Sequence, residues 1–230
     1  MAAGCGSSGP GSTAAAVTPT PSATGPAGSP EARLRYVALG DSYTIGTSVT
    51  EAERFPNQLV AALPELELVA NLGVNGFTSR DLIEVELPKL AALEPDVVTV
   101  LIGVNDVVQG VSSSTYKDNV IEILTALDAV VGAQRILVVT IPDYTVTPNG
   151  GEFGDPAKQS AAIRENNFVM GQLAMGRAAV VVDIYDISLE AATDRTLVAS
   201  DGLHPSGTQY GRWVERIAPA MAALLAPDAP

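Results

Sequence analysis

The chain has 230 residues, enough for one domain of ordinary size that buries a full sheet. Its formal net charge of −13 argues against nucleic acid and anionic bilayer surfaces as partners, since both select clustered Lys and Arg. A single cysteine excludes internal disulfides and cysteine-rich zinc sites, and no apolar run approaches the roughly eighteen residues of a membrane span, the longest candidate being Met221 to Ala226.

Residues 1–30 carry no charged side chain and consist almost entirely of Ala, Gly, Ser, Thr and Pro. Such a composition buries too little apolar area to offset backbone ordering, which predicts a disordered tether followed by one folded domain over residues 31–230. Within the tether, Ala2-Ala3-Gly4-Cys5 resembles the end of a bacterial lipoprotein signal, where a cysteine after small residues is lipidated; the charged start and apolar core of such a signal do not precede it here. Two readings stay open. In one, Cys5 carries a lipid and the spacer behind it tethers an extracytoplasmic protein to a membrane; in the other, Cys5 is a chance cysteine in a low-complexity tail.

The folded part opens with an apolar strand, Leu34 to Leu39, which stops at Gly40 and turns into a loop carrying Asp41-Ser42-Tyr43. Phe55, Leu59 and Leu63 mark one face of a helix that Pro64 ends. A strand follows over Leu66 to Asn71, then a glycine-punctuated turn through Gly76, then a helix capped by Thr78 or Ser79 and running to about Leu90. Asp96 to Ile102 is nearly continuous in β-branched residues, as expected of a strand buried on both faces, and it ends at Gly103-Val104-Asn105-Asp106. Thr115 to Val131 is helical by period, Arg135 to Thr140 is a fourth strand, and Asp143 to Pro156 reads as a long loop suited to a lid. A helix from Pro156 to Met175 precedes the fifth strand, Ala179 to Ile184. Ser206-Gly207-Thr208-Gln209 then opens the last helix with a capping-box pattern. Strand and helix alternate throughout, which specifies an α/β fold: a parallel five-stranded sheet with helices on both faces, three layers in all.

Ligands of such sheets bind beyond the carboxyl ends of the strands, and polar residues gather there. Ser42 can attack a carbonyl if a base takes its proton, and the chain holds one histidine, His204, in Asp201-Gly202-Leu203-His204-Pro205. Asp201, three residues earlier, can accept the other imidazole N–H and hold the tautomer. The Ser42 backbone N–H, the Gly76 backbone N–H and the Asn105 side-chain amide can serve as three oxyanion donors. Taken singly, each motif has a plain structural account: Gly-Asp-Ser as a capped turn, Asn105-Asp106 as a helix cap, His-Pro as the turn before a helix. Together they leave unexplained why the only histidine follows an aspartate by three in the loop where a base is needed. Asp183 and Asp186 are the other orienters in reach if that loop lies elsewhere. No metal or cofactor is called for, and neither a Gly-x-Gly-x-x-Gly nor a P-loop is present.

These four blocks, Gly40-Asp41-Ser42, Asn71 to Gly76, Gly103-Val104-Asn105-Asp106 and Asp201 to His204, resemble the signature blocks of the SGNH hydrolases, also called GDSL esterases and lipases. The resemblance implies a doubly wound, flavodoxin-like sheet of order 2-1-3-4-5. It also implies ester or thioester hydrolysis through an acyl-enzyme, with Ser42 as nucleophile, His204 as base, Asp201 as its orienter, and Ser42, Gly76 and Asn105 as the oxyanion hole. The expected substrate is a small-molecule, carbohydrate or lipid acyl ester, including short-chain or acetyl esters. Val104 stands where many members carry glycine, which narrows the expected site. Two alternatives remain at this level: acyl transfer by the same triad, and a surface-tethered binding module without turnover. Specificity is expected in the loops Thr44 to Arg54, Val107 to Thr115 and Asp143 to Pro156.

Overall fold

The structure is a computed structural model and describes Met1, Ala2, residues 4–6, Gly9, Gly11 and 33–226. The tether expected over residues 1–30 therefore lies almost wholly outside the described residues, although Cys5 is described and exposed. All elements below belong to the unit Ala32–Pro230.

Five strands form one parallel sheet: β1 (Leu34–Gly40), β2 (Leu66–Asn71), β3 (Val97–Leu101), β4 (Ile136–Val139) and β5 (Val180–Val182), in the order β2-β1-β3-β4-β5. The helices are α1 (Ser42–Ile45), α2 (Phe55–Ala62), α3, α4 (Val104–Val108), α5 (Ser113–Val131), α6 (Pro156–Met175), α7 (Tyr185–Leu189) and α8 (Gly207–Leu225). Helix α3 runs in three pieces, Ser79–Asp81, a π-helical stretch Leu82–Glu86, and Leu87–Leu93. The three-layer α/β architecture and the strand order agree with the sequence reading.

The period-2 geometry of the strands sorts their side chains between two cores. From β1 and β3, Tyr36, Ala38, Val97 and Leu101 join Phe55, Leu59, Tyr210, Trp213 and Ile217 of α2 and α8. On the opposite face Val37, Leu39, Val98 and Val100 meet Leu82 and Leu90 of α3 and Val120, Ile123 and Leu127 of α5. Inside the first core the Tyr36 hydroxyl and Thr99 Oγ1 pair at 2.7 Å, whereas the Tyr210 hydroxyl and the Trp213 indole N–H are buried without a hydrogen-bond partner.

Several expectations need adjusting. The segment after Gly40 is not a plain loop, because Asp41 caps a one-turn helix, and Asn105 and Asp106 lie within α4, whose N-cap position is Gly103, rather than capping it. Both helices are too short to show a period in sequence. Thr78 does form the expected cap: its hydroxyl accepts from Asp81 N–H while the Asp81 carboxylate accepts from Thr78 N–H. At α8 only half the expected box forms. Ser206 Oγ accepts from Gln209 N–H at 3.3 Å, whereas the Gln209 amide donates instead to the Leu197 carbonyl at 3.2 Å. The expected open loop from Asp143 folds into two 3₁₀ turns, Tyr144–Val146 and Gly150–Phe153.

Aromatic rings carry the first core up to the sheet's carboxyl edge. Trp213, fully buried, lies edge-on to Tyr210 at 4.9 Å and 6.3 Å from both Phe55 and Tyr43, and Tyr43 in turn lies 5.6 Å from the His204 ring. Replacing Trp213 by Ala is expected to lower stability by about 3–5 kcal/mol. Urea denaturation checks this; a loss below about 1 kcal/mol would contradict the packing described.

Candidate active site

The carboxyl edge of the sheet is built outward from Gly40. Its φ of +148° lies in a region that side chains avoid, and a Cβ there would sit 2.1 Å from the Leu101 carbonyl oxygen on β3. Beyond it Asp41 caps α1, its Oδ1 accepting the Tyr43 N–H at 3.0 Å. Ser42 is thereby the first residue of α1, where a backbone N–H has no intrahelical acceptor. Asn71, at the end of β2, donates from its amide to the Thr44 carbonyl at 2.7 Å and so ties α1 to the neighbouring strand.

The oxyanion candidates come from two adjacent segments. Gly76 has φ +81°, and nothing lies within 4 Å of where its Cβ would be, so its backbone faces open space. Asn105 Nδ2 donates to the Phe77 carbonyl at 2.9 Å, and Gln109 Nε2 to the Gly76 carbonyl at 3.2 Å; these bonds hold α4 beside the Gly76 turn. An amide carries two N–H groups, so this use of Asn105 leaves one free.

Asp201 and His204 meet directly. His204 Nδ1 lies 2.6 Å from Asp201 Oδ2, while Asp201 Oδ1 accepts the backbone N–H groups of Leu203 and His204 at 2.9 and 3.0 Å. Ser48 Oγ also donates to Asp201 Oδ2, at 2.7 Å. Burial works to raise the Asp201 pKa, but the Ser48, His204 and backbone hydrogen bonds outweigh it and hold the carboxyl down at about 2. The other two candidate orienters are engaged elsewhere: Asp183 accepts from Thr140 Oγ1 and Tyr185 N–H, and Asp186 pairs with Arg216.

Ser42, Asn105 and His204 share the wall of one cavity of about 40 Å³. Val104, Tyr144, Phe153 and Leu203 supply its apolar side, the Tyr144 and Phe153 rings meeting edge to face at 5.7 Å. The structure forms no hydrogen bond between Ser42 Oγ and the His204 ring. Gly76 does not line this cavity.

A model of the GDSL-like lipase/acylhydrolase family matches residues 38–212. The chain belongs to this family. As a GDSL hydrolase it is a carboxylic ester hydrolase. Solved structures with the same fold include the lipase/acylhydrolase from Enterococcus faecalis, at 22% identity, TM-score 0.66, and coverage of 85% of this chain and 98% of that one. A lipolytic protein of the G-D-S-L family from Veillonella parvula matches at 17% identity and TM-score 0.67, over 82% of this chain and 98% of that one. A variant of an acetyl xylan esterase from Geobacillus stearothermophilus matches at 22% identity and TM-score 0.64, over 83% and 95%. No curated protein sequence matches the chain.

Around this GDSL core the structure adds residues that the sequence reading did not single out. Ser48 reaches Asp201 from the segment after α1. Asn149, from the turns before α6, grips the Asp201 loop through Asn149 Nδ2 to the Asp201 carbonyl at 2.7 Å and its N–H to the Gly202 carbonyl at 2.9 Å. Glu86, on the π-helical stretch of α3, accepts the Gly40 N–H at 3.0 Å directly beneath the Ser42 turn. Its other oxygen, and Asp41 Oδ2, are buried without a hydrogen-bond partner.

Burial pushes Glu86 up to about 9 and Asp41 up to about 8. Folding therefore takes up protons that the unfolded chain releases above the ordinary carboxyl range. The stability these groups contribute is present at low pH and is lost as the pH rises toward about 8 to 9. Wild-type unfolding free energy is expected to fall between about pH 6 and 9, and Glu86→Gln to flatten that fall. Urea titrations at the two pH values decide it; equal slopes in both proteins would remove Glu86 as the titrating group.

Proposed function

We propose that this GDSL hydrolase cleaves esters of short acyl groups, acetyl above all, through an acyl-enzyme on Ser42. The observation that carries the reading is the cavity of about 40 Å³ on whose wall Ser42, Asn105 and His204 converge. A water molecule needs about 10–15 Å³ on this measure, so the cavity suits a group of three or four heavy atoms. Val104, Tyr144 and Phe153 supply the apolar wall against which a short acyl group would rest. The acetyl xylan esterase among the structural neighbours agrees with an acetyl-sized pocket and a carbohydrate leaving group.

In this mechanism His204 Nε2 takes the Ser42 Oγ proton as the oxygen attacks the ester carbonyl. Asp201, ionised at any working pH by virtue of its depressed pKa, holds Nδ1–H and stabilises the imidazolium that forms. The Ser42 and Gly76 backbone N–H groups and the second Asn105 amide N–H receive the oxyanion. Collapse expels the alcohol, which takes the proton from His204; water then repeats the sequence on the acyl-Ser42 ester and regenerates the serine. The Asp201–His204 contact and the shared cavity wall support the roles of Ser42, Asn105, His204 and Asp201, whereas the Gly76 role rests on the family resemblance and family membership supports the reaction class. The extracytoplasmic location, with Cys5 as lipid attachment point, is proposed on the Ala2-Ala3-Gly4-Cys5 pattern and the uncharged segment behind it.

The test is hydrolysis of p-nitrophenyl esters from acetate to octanoate. Acetate turnover is expected to dominate, to vanish in Ser42→Ala, and to lose about 10²–10³-fold in kcat in Asn105→Ala. Phe153→Ala is expected to extend turnover to longer chains; an unchanged chain-length profile would mean that the acyl group sits elsewhere. Because the base must be neutral to take the Ser42 proton, kcat/KM is expected to rise from acid toward neutral pH. A flat profile from about pH 5 to 8 would remove His204 as the base.

A further inference from the structure

We propose that Ser48 is a positioning residue of this esterase, its hydroxyl fixing the Asp201 carboxylate against His204 and tying the acid's loop to the segment that carries the nucleophile. The inference rests on the Ser42-His204-Asp201 assignment above. Four donors surround the carboxylate: Leu203 N–H and His204 N–H on Oδ1, His204 Nδ1 and Ser48 Oγ on Oδ2. Three belong to the acid's own loop and move with it. Ser48 alone comes from elsewhere, 153 residues away in sequence and six residues beyond Ser42. Since no hydrogen bond joins Ser42 to the His204 ring, the two halves of the site are brought into register by contacts outside that pair, and the Ser48 bond at 2.7 Å ends on the carboxylate oxygen that the imidazole uses.

The local backbone is arranged to deliver this hydroxyl. Gly46 closes α1 in the left-handed conformation at φ +72°, and Ser48 adopts φ +66°, which is costly for any residue with a Cβ. The Thr47 hydroxyl, bonded to Asn75 Oδ1, pins the segment to the turn before Gly76. Glycine would take the Ser48 conformation without steric cost but would leave Asp201 one donor short. The same bond favours the ionised carboxylate, in keeping with the depressed Asp201 pKa. The other titratable side chains facing the pair are Tyr43 of α1, 5.6 Å from the His204 ring, Asp143 and Tyr144 after β4, which share a cavity wall with His204, and the buried Tyr210 of α8, whose hydroxyl feels the Asp201 charge.

The experiment compares Ser48→Ala and Ser48→Gly with wild type and Asp201→Asn in the full chain, using p-nitrophenyl acetate across the pH range. Both Ser48 variants are expected to lose about three- to thirtyfold in kcat, with KM little changed because Ser48 does not line the cavity that Ser42 and His204 share. The acid limb of kcat/KM is expected to move to higher pH, because a carboxylate relieved of one donor holds the imidazolium more tightly. Wild-type kcat in Ser48→Gly would reduce the role to backbone conformation and overturn the proposal, as would an acid limb left in place in both variants. Full activity in Asp201→Asn would instead overturn the triad assignment and the proposal with it, whereas an inactive Asp201→Asn beside fully active Ser48 variants would overturn the proposal alone.

Discussion

The constraint on which the rest of the site depends is the contact between the end of β1 and the end of β3 at Gly40. The strand closes to within what a Cβ would need, 2.1 Å from the Leu101 carbonyl oxygen, and turns there at φ +148°. Only a residue without a side chain lets the chain leave the sheet at that point and start a helix one residue later. Ser42 is thus held by the sheet itself rather than by a pliable loop, which suits the nucleophile proposed for it, since such a reaction depends on orientation to within fractions of an ångström.

Each neighbouring strand end is tied down in a comparable way. Asn166 of α6 donates to the Gly103 carbonyl at 3.1 Å, and Asp106 of α4 accepts from the backbone and hydroxyl of Ser79 at the start of α3. These bonds cross between layers, so the helices packed on the sheet also fix where its loops stand. Glu86 belongs to the same scheme, reaching Gly40 from a π-helical stretch that interrupts α3. Such stretches commonly occur beside functional sites.

Much of this could be read in the sequence, for identifiable reasons. The strands showed as β-branched runs because both faces of a parallel sheet are buried, and the bounds of β2 and α6 fell where expected, each flanked by a proline or a polar turn. Asp201 and His204 were legible because their partnership is local, spanning a single turn. The short helices α1 and α4 were not, since four or five residues carry no period. Ser48, Glu86 and Asn149 escaped for another reason. Each acts through a partner 46 to 153 residues away, and a lone serine, glutamate or asparagine in a surface-like stretch carries no mark of that partner. The identity of the candidate site residues is encoded locally, while their alignment is encoded in the fold.

The loop from Asp201 to His204 draws the proposed acid and base into one small unit. The Asp201 carboxylate binds the backbone and the ring of the residue three positions on, and the Ala199 N–H to His204 carbonyl bond of 2.8 Å closes the segment on itself. The pair is therefore a compact cassette, but one anchored from outside by Ser48 and Asn149, so changes between α7 and this loop act on the pair through those two anchors. Because both anchors end on Asp201, a shift of this loop is felt first at the carboxylate and only through it at the imidazole.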